Sequence, residues 1–144
     1  MFKITIYTDG GARGNPGPAA IGVVIQYADQ EKHYSQYLGR ATNNEAEYQA
    51  LIFALKKTKA LCGKEKTKRI EISCFLDSEL IVRQLNHEYK IEEEKLQKLF
   101  IQIWNLMLDF NKVKFNYIGR EKNKIADRLV NEELDRQEKQ RQLL

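Results

Sequence analysis

"YTDGGARGNPGP", Tyr7 to Pro18, joins a short apolar run ending in an acid to a loop crowded with Gly, Asn and Pro. A glycine loop that cradles nucleotide phosphates must run into a helix, whose N-terminal amides bind the anion. Here it runs instead into AAIGVVIQY, a second beta-rich stretch, and Gly10, Gly11, Gly14 and Gly17 match neither nucleotide-binding spacing. The loop therefore reads as a turn between strands. What the turn leaves unexplained is Asp9.

Outward from that loop, Lys3 to Asp9 alternates in polarity and predicts a first strand that the loop stops. AAIGVVIQYAD predicts a second strand and KHYSQYLGR a third, together an antiparallel meander. TNNEAEYQALIFALKKTKALCG carries apolar positions at Leu51, Ala54 and Leu55 and ends on Gly63, which predicts a helix. KTKRIEISCFLD alternates through Ile70, Ile72, Cys74 and Leu76 as a fourth strand ending at Asp77. Then come the helix SELIVRQLNHEY, the longer helix EEEKLQKLFIQIWNLMLDF, a fifth strand KVKFNYIG and a last helix from Asn123. In that helix pattern Trp104, with Phe100, Ile101, Met107 and Leu108, reads as core. The tail DRQEKQRQLL reads as a solvated, fraying extension, and Lys56, Lys57 and Lys59 read equally as contacts to backbone phosphate or as ordinary helix surface. The order βββ-α-β-α-α-β-α predicts an α/β protein with a five-stranded mixed sheet flanked by helices.

At 144 residues, with no linker or repeat, residues 1–144 are expected to form one domain. The formal charge of +4 and pI near 9.0 favour a polyanionic partner only mildly. Cys62 and Cys74 lack paired-motif spacing, so a reduced, cytoplasmic setting is expected. No apolar run reaches the roughly 20 residues that span a bilayer. Nothing in the sequence demands a dimer, so a monomer is expected.

Four acids can converge. Asp9 and Asp77 each end a predicted strand with parity opposite to its main aliphatic set. If those strands are parallel neighbours, the two carboxylates lie side by side, and a divalent cation is the usual partner of such a pair. In TNNEAE, Thr42 and Glu45 have capping-box spacing, which gives Glu45 a structural role. Glu47 has none, and it heads the buried stripe of its helix, where an unpaired charge is costly. The fourth is Asp127, early in the last helix, with Asn123 as its expected cap.

Four blocks, YTDGGARGNPGPAAIGVVI, GRATNNEAEYQAL, LDSELIVRQL and GREKNKIADRLVNEEL, resemble ribonuclease H of type 1 in order and along essentially the whole chain. The resemblance implies a ribonuclease H-like fold and a metal-dependent endonuclease that cuts the RNA strand of an RNA/DNA hybrid, leaving 3'-hydroxyl and 5'-phosphate ends with little sequence specificity. It implies a catalytic, metal-binding tetrad of Asp9, Glu47, Asp77 and Asp127 around two Mg²⁺ ions, with Mn²⁺ as a substitute. It further implies substrate contacts from Asn15, Asn43 and Asn44, a DNA-phosphate pocket at Arg40 and Thr42, and close approach of the hybrid over Gly10 and Gly11. Recognition of the 2'-hydroxyl leaves activity on double-stranded RNA open.

Three departures from the family accompany these expectations. NHEYKIEEEK replaces a basic, Trp-rich insertion, so weaker and more salt-sensitive hybrid binding is expected. Glu79 stands where relatives often carry Gln. GREKN carries Arg120 and Glu121 where many relatives have a His, with Glu121 a candidate substitute. A non-catalytic binding module would predict a broken acid set, whereas all four acids are present. The TNN block and GNPGP loop weigh against a DNA-directed nuclease of the same fold.

Overall fold

The computed structural model describes residues 2–143. Three strands, β1 (Phe2–Ala12), β2 (Gly17–Tyr27) and β3 (Gln30–Ala41), form the expected antiparallel meander. Helix α1 (Asn43–Cys62) and a one-turn helix α2 (Lys64–Thr67) lead to β4 (Ile70–Leu76). Helices α3 (Glu79–Leu85) and α4 (Glu94–Met107) precede β5 (Lys112–Tyr117), and α5 (Lys124–Leu143) closes the chain after a 3-10 turn at Arg120–Lys122. The predicted order holds, with α2 and the 3-10 turn added to it.

The sheet order is β3-β2-β1-β4-β5, with β4 parallel to both β1 and β5. Alternation decides which face each side chain meets. Ile4 and Ile6 of β1 and Ile21, Val23 and Ile25 of β2 join Leu51 and Leu55 of α1 in the main core, which α3 and α4 extend with Ile81, Leu85, Leu99 and Ile103. On the opposite face Ala20 packs with Val130 and Leu134 of α5 in a smaller cluster. Among the described residues no helix is long and apolar enough to cross a membrane.

Three sequence expectations need correction. β1 does not stop at Asp9, because β2 runs beside it through Ala12↔Ala19 and provides ladder partners for Gly10 and Gly11. The connection is only Arg13–Pro16. Second, the tail of α5 is a solvated helical extension as expected, but helical as far as Leu143, and three of its side chains have partners: the Arg13 guanidinium pairs with Asp135 at 2.8 Å and Glu138 at 2.7 Å, and Arg141 donates to the Tyr37 hydroxyl at 2.8 Å. Third, α4 turns Leu96, Leu99 and Ile103 inward and leaves Trp104 58% exposed, with Ile101 and Leu108 also outside. An i, i+3, i+7 set packed against α1 forms the core there, and Trp104 lies off that stripe.

Candidate active site

The parallel register of β1 and β4 ends at Tyr7↔Phe75, so Asp9 and Asp77 stand two residues beyond it at equivalent positions. Both point to the same side of the sheet, as their shared parity requires. Glu47 is brought to them by the packing of α1. A Cβ on Gly10 would overlap the backbone of Ala46 and come within 2.6 Å of the Glu47 amide nitrogen. The glycine thus lets the first turn of α1 rest directly on β1. The space that a Gly10 side chain would fill belongs to α1, while Gly10 itself still lines the cleft. A Cβ on Gly11 would meet only Val130, at 3.7 Å.

Gly22, paired with Asp9 across β1 and β2, does the same on the other face. A Cβ there would overlap the Ala126 carbonyl and lie 2.9 Å from the Leu129 Cβ, so α5 also sits on bare backbone, one residue from Asp127. The start of α5 is fixed by Asn123, which is buried. Its side chain was expected to cap α5. Instead the carboxamide donates to the Thr8 carbonyl at 2.9 Å and the Asp77 carboxylate at 3.3 Å, linking α5 to β1 and the acid.

Ligand oxygens of Asp9, Glu47 and Asp77 lie within 4.8 Å of one another. Asp9 and Glu47 are buried at 8% and 7% exposure, Asp77 is half-buried, and Asp127 is exposed and stands outside this trio while lining the same cleft. Burial, then the charge of Asp77, pushes the Asp9 carboxyl up to about 7. Burial, then the charge of Asp9, raises Glu47 as well. Gly10 N–H donates to Asp9 at 3.0 Å, while the buried Glu47 Oε2 has no hydrogen-bond partner in the protein. Three close carboxylates with an unsatisfied oxygen form a hard-oxygen donor set, the chemistry that suits Mg²⁺ or Mn²⁺. The residues present fit such an ion.

Residues 7–133 match the family model described as reverse transcriptase-like. A ribonuclease H of Desulforamulus reducens is 30% identical over 145 residues, covering 90% of this chain and 86% of its own. A bifunctional protein of Mycobacterium tuberculosis is 38% identical over 137 residues; they cover 93% of this chain but only 36% of that protein. The chain thus spans about a third of the length of its mycobacterial relatives. The structure of LC11-RNase H1 in complex with an RNA/DNA hybrid superposes with a TM-score of 0.84 at 46% identity, over 90% of this chain and 94% of that one. The chain belongs to the ribonuclease H family.

In this ribonuclease H chain the cleft is lined by all four expected acids and by Gly10, Gly11, Asn43 and Asn44. Asn15, Arg40 and Thr42 do not line it. The carboxamide oxygen of Asn15 accepts from the Asn43 amide at 2.9 Å, and that of Asn43 accepts from the Ala12 amide at 2.9 Å, so both brace the loop against α1. The Thr42 hydroxyl accepts from the Glu45 amide at 3.1 Å while Glu45 accepts from the Thr42 amide at 3.4 Å, the expected capping box. Ser78, Arg120 and Asn131 also line the cleft and were missed as site residues. The i, i+4 spacing of Asp127 and Asn131 was a usable signal: the Asn131 side-chain Nδ2 donates to the Asp127 backbone oxygen at 3.0 Å and to its carboxylate at 3.4 Å. Glu121, the expected substitute for the missing histidine, lies against Gly119 and does not line the cleft, whereas Arg120 does. Glu79 is held by Arg83 at 3.0 Å.

Proposed function

We propose that the chain is a metal-dependent endonuclease that hydrolyses the RNA strand of RNA/DNA hybrids with little sequence preference, leaving 5'-phosphate and 3'-hydroxyl ends. The observation that carries this reading is the trio Asp9, Glu47 and Asp77, with ligand oxygens within 4.8 Å of one another at the end of two parallel strands. The likeness to a relative crystallised with an RNA/DNA hybrid supports the substrate class.

Asp9, Glu47 and Asp77 would hold one divalent ion, and Asp127, at the outer side of the cleft, would share a second with Asp9. Such ions, when bound, supply activation of the attacking water and neutralisation of charge on the leaving 3'-oxygen. The chain's residues do the rest. Asp9 and Glu47 must be ionised for the site to load, and since burial and mutual repulsion raise both carboxyls, loading should improve as pH rises. Asn123 keeps Asp77 aimed inward through its 3.3 Å hydrogen bond. Asn43 and Asn44, on the first turn of α1, present polar groups to the minor groove, where the 2'-hydroxyl separates RNA from DNA. Arg120 places a positive charge beside the acids, where a scissile phosphate would sit. We propose further that the protein acts as a monomer in the cytoplasm.

The test is cleavage of an end-labelled hybrid beside matched double-stranded RNA, double-stranded DNA and single-stranded RNA, in Mg²⁺, Mn²⁺ and EDTA. Cutting confined to the RNA strand of the hybrid is expected. Equal cutting of double-stranded DNA would refute the substrate assignment.

A further inference from the structure

The cleft is electrostatically unsuited to attract a polyanion without its cations. Four acids line it, and Arg13, one of its two arginines, is neutralised by Asp135 and Glu138. The positive charge of the chain lies elsewhere. Residues 56–69, KKTKALCGKEKTKR, hold seven of the 24 Lys and Arg but one of the 20 Asp and Glu, so the rest of the chain carries two more acids than bases. The whole excess of +4 is therefore the property of one surface: the end of α1, the helix α2 and the turn into β4.

Some of these cations have structural work. Lys59 pairs with Asp109 at 2.8 Å, and the Lys57 ammonium lies 4.9 Å from the Tyr34 ring centroid. The end of a helix is complemented by one or two cations, not by seven. Lys64, Lys66, Lys68 and Arg69 are all exposed, and among the described residues none of the four makes an ion pair; Lys66 only approaches the Phe2 ring, at 5.7 Å. Lys59, Lys64, Lys68 and Arg69 line one open groove, four cations against the two acids Glu65 and Asp109, of which Asp109 is already paired with Lys59. The groove lies at the pole opposite the acids. Glu47 and Cys62 are 15 residues apart along α1, which is about 22 Å at 1.5 Å per residue, and Lys64 follows beyond that end.

We propose that this lysine-rich pole is a second nucleic-acid docking surface, which holds the sugar-phosphate backbone of a duplex segment other than the one in the cleft. The inference rests on the reading of the chain as a nuclease of hybrids, and it supplies what that reading lacks: a source of backbone affinity in a chain without the basic insertion. Docking at the pole keeps the protein on a long substrate between encounters of the cleft with the RNA strand. Because the contacts are to phosphates, the surface should be indifferent to base sequence and strongly dependent on salt.

The test compares wild type with the variant Lys64→Ala/Lys66→Ala/Lys68→Ala/Arg69→Ala, and with the same four positions changed to Gln. The probe is a DNA duplex of about 40 base pairs, its affinity measured in EDTA between about 50 and 200 mM salt. Both variants should keep the wild-type circular dichroism spectrum. They should bind at least about tenfold more weakly, with a log–log salt slope shallower by about 3, as expected when four phosphate contacts are lost. Their rate on a saturating short hybrid in Mg²⁺ should stay within about twofold of wild type. A control pair on α4, Lys95→Ala/Lys98→Ala, should leave DNA binding unchanged. Unaltered affinity and slope in the fourfold variants, or an equal loss in the α4 control, would overturn the proposal. So would displacement of the DNA by polyglutamate at equal charge, which would make the pole a surface for acidic proteins. The two readings fail separately: a chain that cuts no hybrid but loses DNA binding in the variants keeps the docking surface and loses the nuclease, and the converse result does the opposite.

Discussion

Asp9 is where the chain concentrates its electrostatic cost. Its carboxyl is held near 7 by burial and by the charge of Asp77. Between the ordinary Asp value of about 4 and that raised value, the folded protein binds more protons than the unfolded chain, so its stability falls as pH rises through this window. Thermal melts in EDTA should therefore show the melting temperature declining from about pH 4 to pH 7 as this contribution is lost, and added Mg²⁺ should restore it most at the upper end, where the ligands are ionised. A metal-free melting temperature that rises across the window would contradict the assignment. Asp9→Asn removes the charge and should raise the metal-free melting temperature at pH 7 while abolishing the Mg²⁺-dependent increase. The two glutamates of TNNEAE separate in the same way. Glu45→Gln keeps a capping acceptor and should retain activity within about threefold, whereas Glu47→Gln should lose at least about a hundredfold; rates at saturating hybrid decide it, and the reverse order would exchange their roles. These acids were legible in the sequence because parity and capping distinguish a carboxylate with a local partner from one without. The separation of Asp127 from the other three was not, since it depends on where α5 sits on the sheet. Nor was the choice between Arg120 and Glu121, which a single turn of 3-10 helix decides.

At the scale of elements, two glycines set the distances that matter. Gly10 admits the backbone of α1 and Gly22 that of α5, from opposite faces of adjacent strands. Gly10→Ala and Gly22→Ala should each destabilise the fold by about 1–3 kcal/mol through overpacking against a backbone that cannot rotate away. Urea unfolding measures that loss. Gly10→Ala should also lower activity by displacing Glu47, and Gly11→Ala, with ordinary contact at 3.7 Å, should be much milder. Equal losses at Gly10 and Gly11 would refute the packing role. The strands were readable because alternation survives in each. The continuation of β1 through Gly10 and Gly11 was not, because glycine carries no strand propensity and only the β2 ladder reveals it. Helix α4 failed for a different reason: with apolar residues at Leu96, Leu99, Phe100, Ile101, Ile103, Trp104 and Leu106–Leu108, its sequence fits more than one buried face. Contact with α1 chooses between them, and that contact is tertiary.

Across the whole molecule the parallel pairing of β1 with β4 places Asp9 and Asp77 at one pole, and α1 carries the chain to the other, where its excess positive charge collects. The clustered acids and the basic surface are thus separated by the length of the sheet. The strand order that brings the first and fourth strands together was an expectation conditional on their being neighbours, and the register confirms the condition. The distribution of charge was legible as a run of lysines but had no meaning until the fold set it opposite the cleft. The central claim is that carboxylates gathered by this topology bind the ions that cut RNA in a hybrid. Its most direct test is the cleavage rate of one RNA-labelled hybrid by wild type and Asp9→Asn, each titrated with Mg²⁺ and then quenched with EDTA. The account predicts Mg²⁺-dependent cutting of the RNA strand by wild type, arrest in EDTA, and at least about a hundredfold slower cutting by Asp9→Asn at every Mg²⁺ concentration. Cutting that persists in EDTA, or an Asp9→Asn protein as fast as wild type, would contradict it.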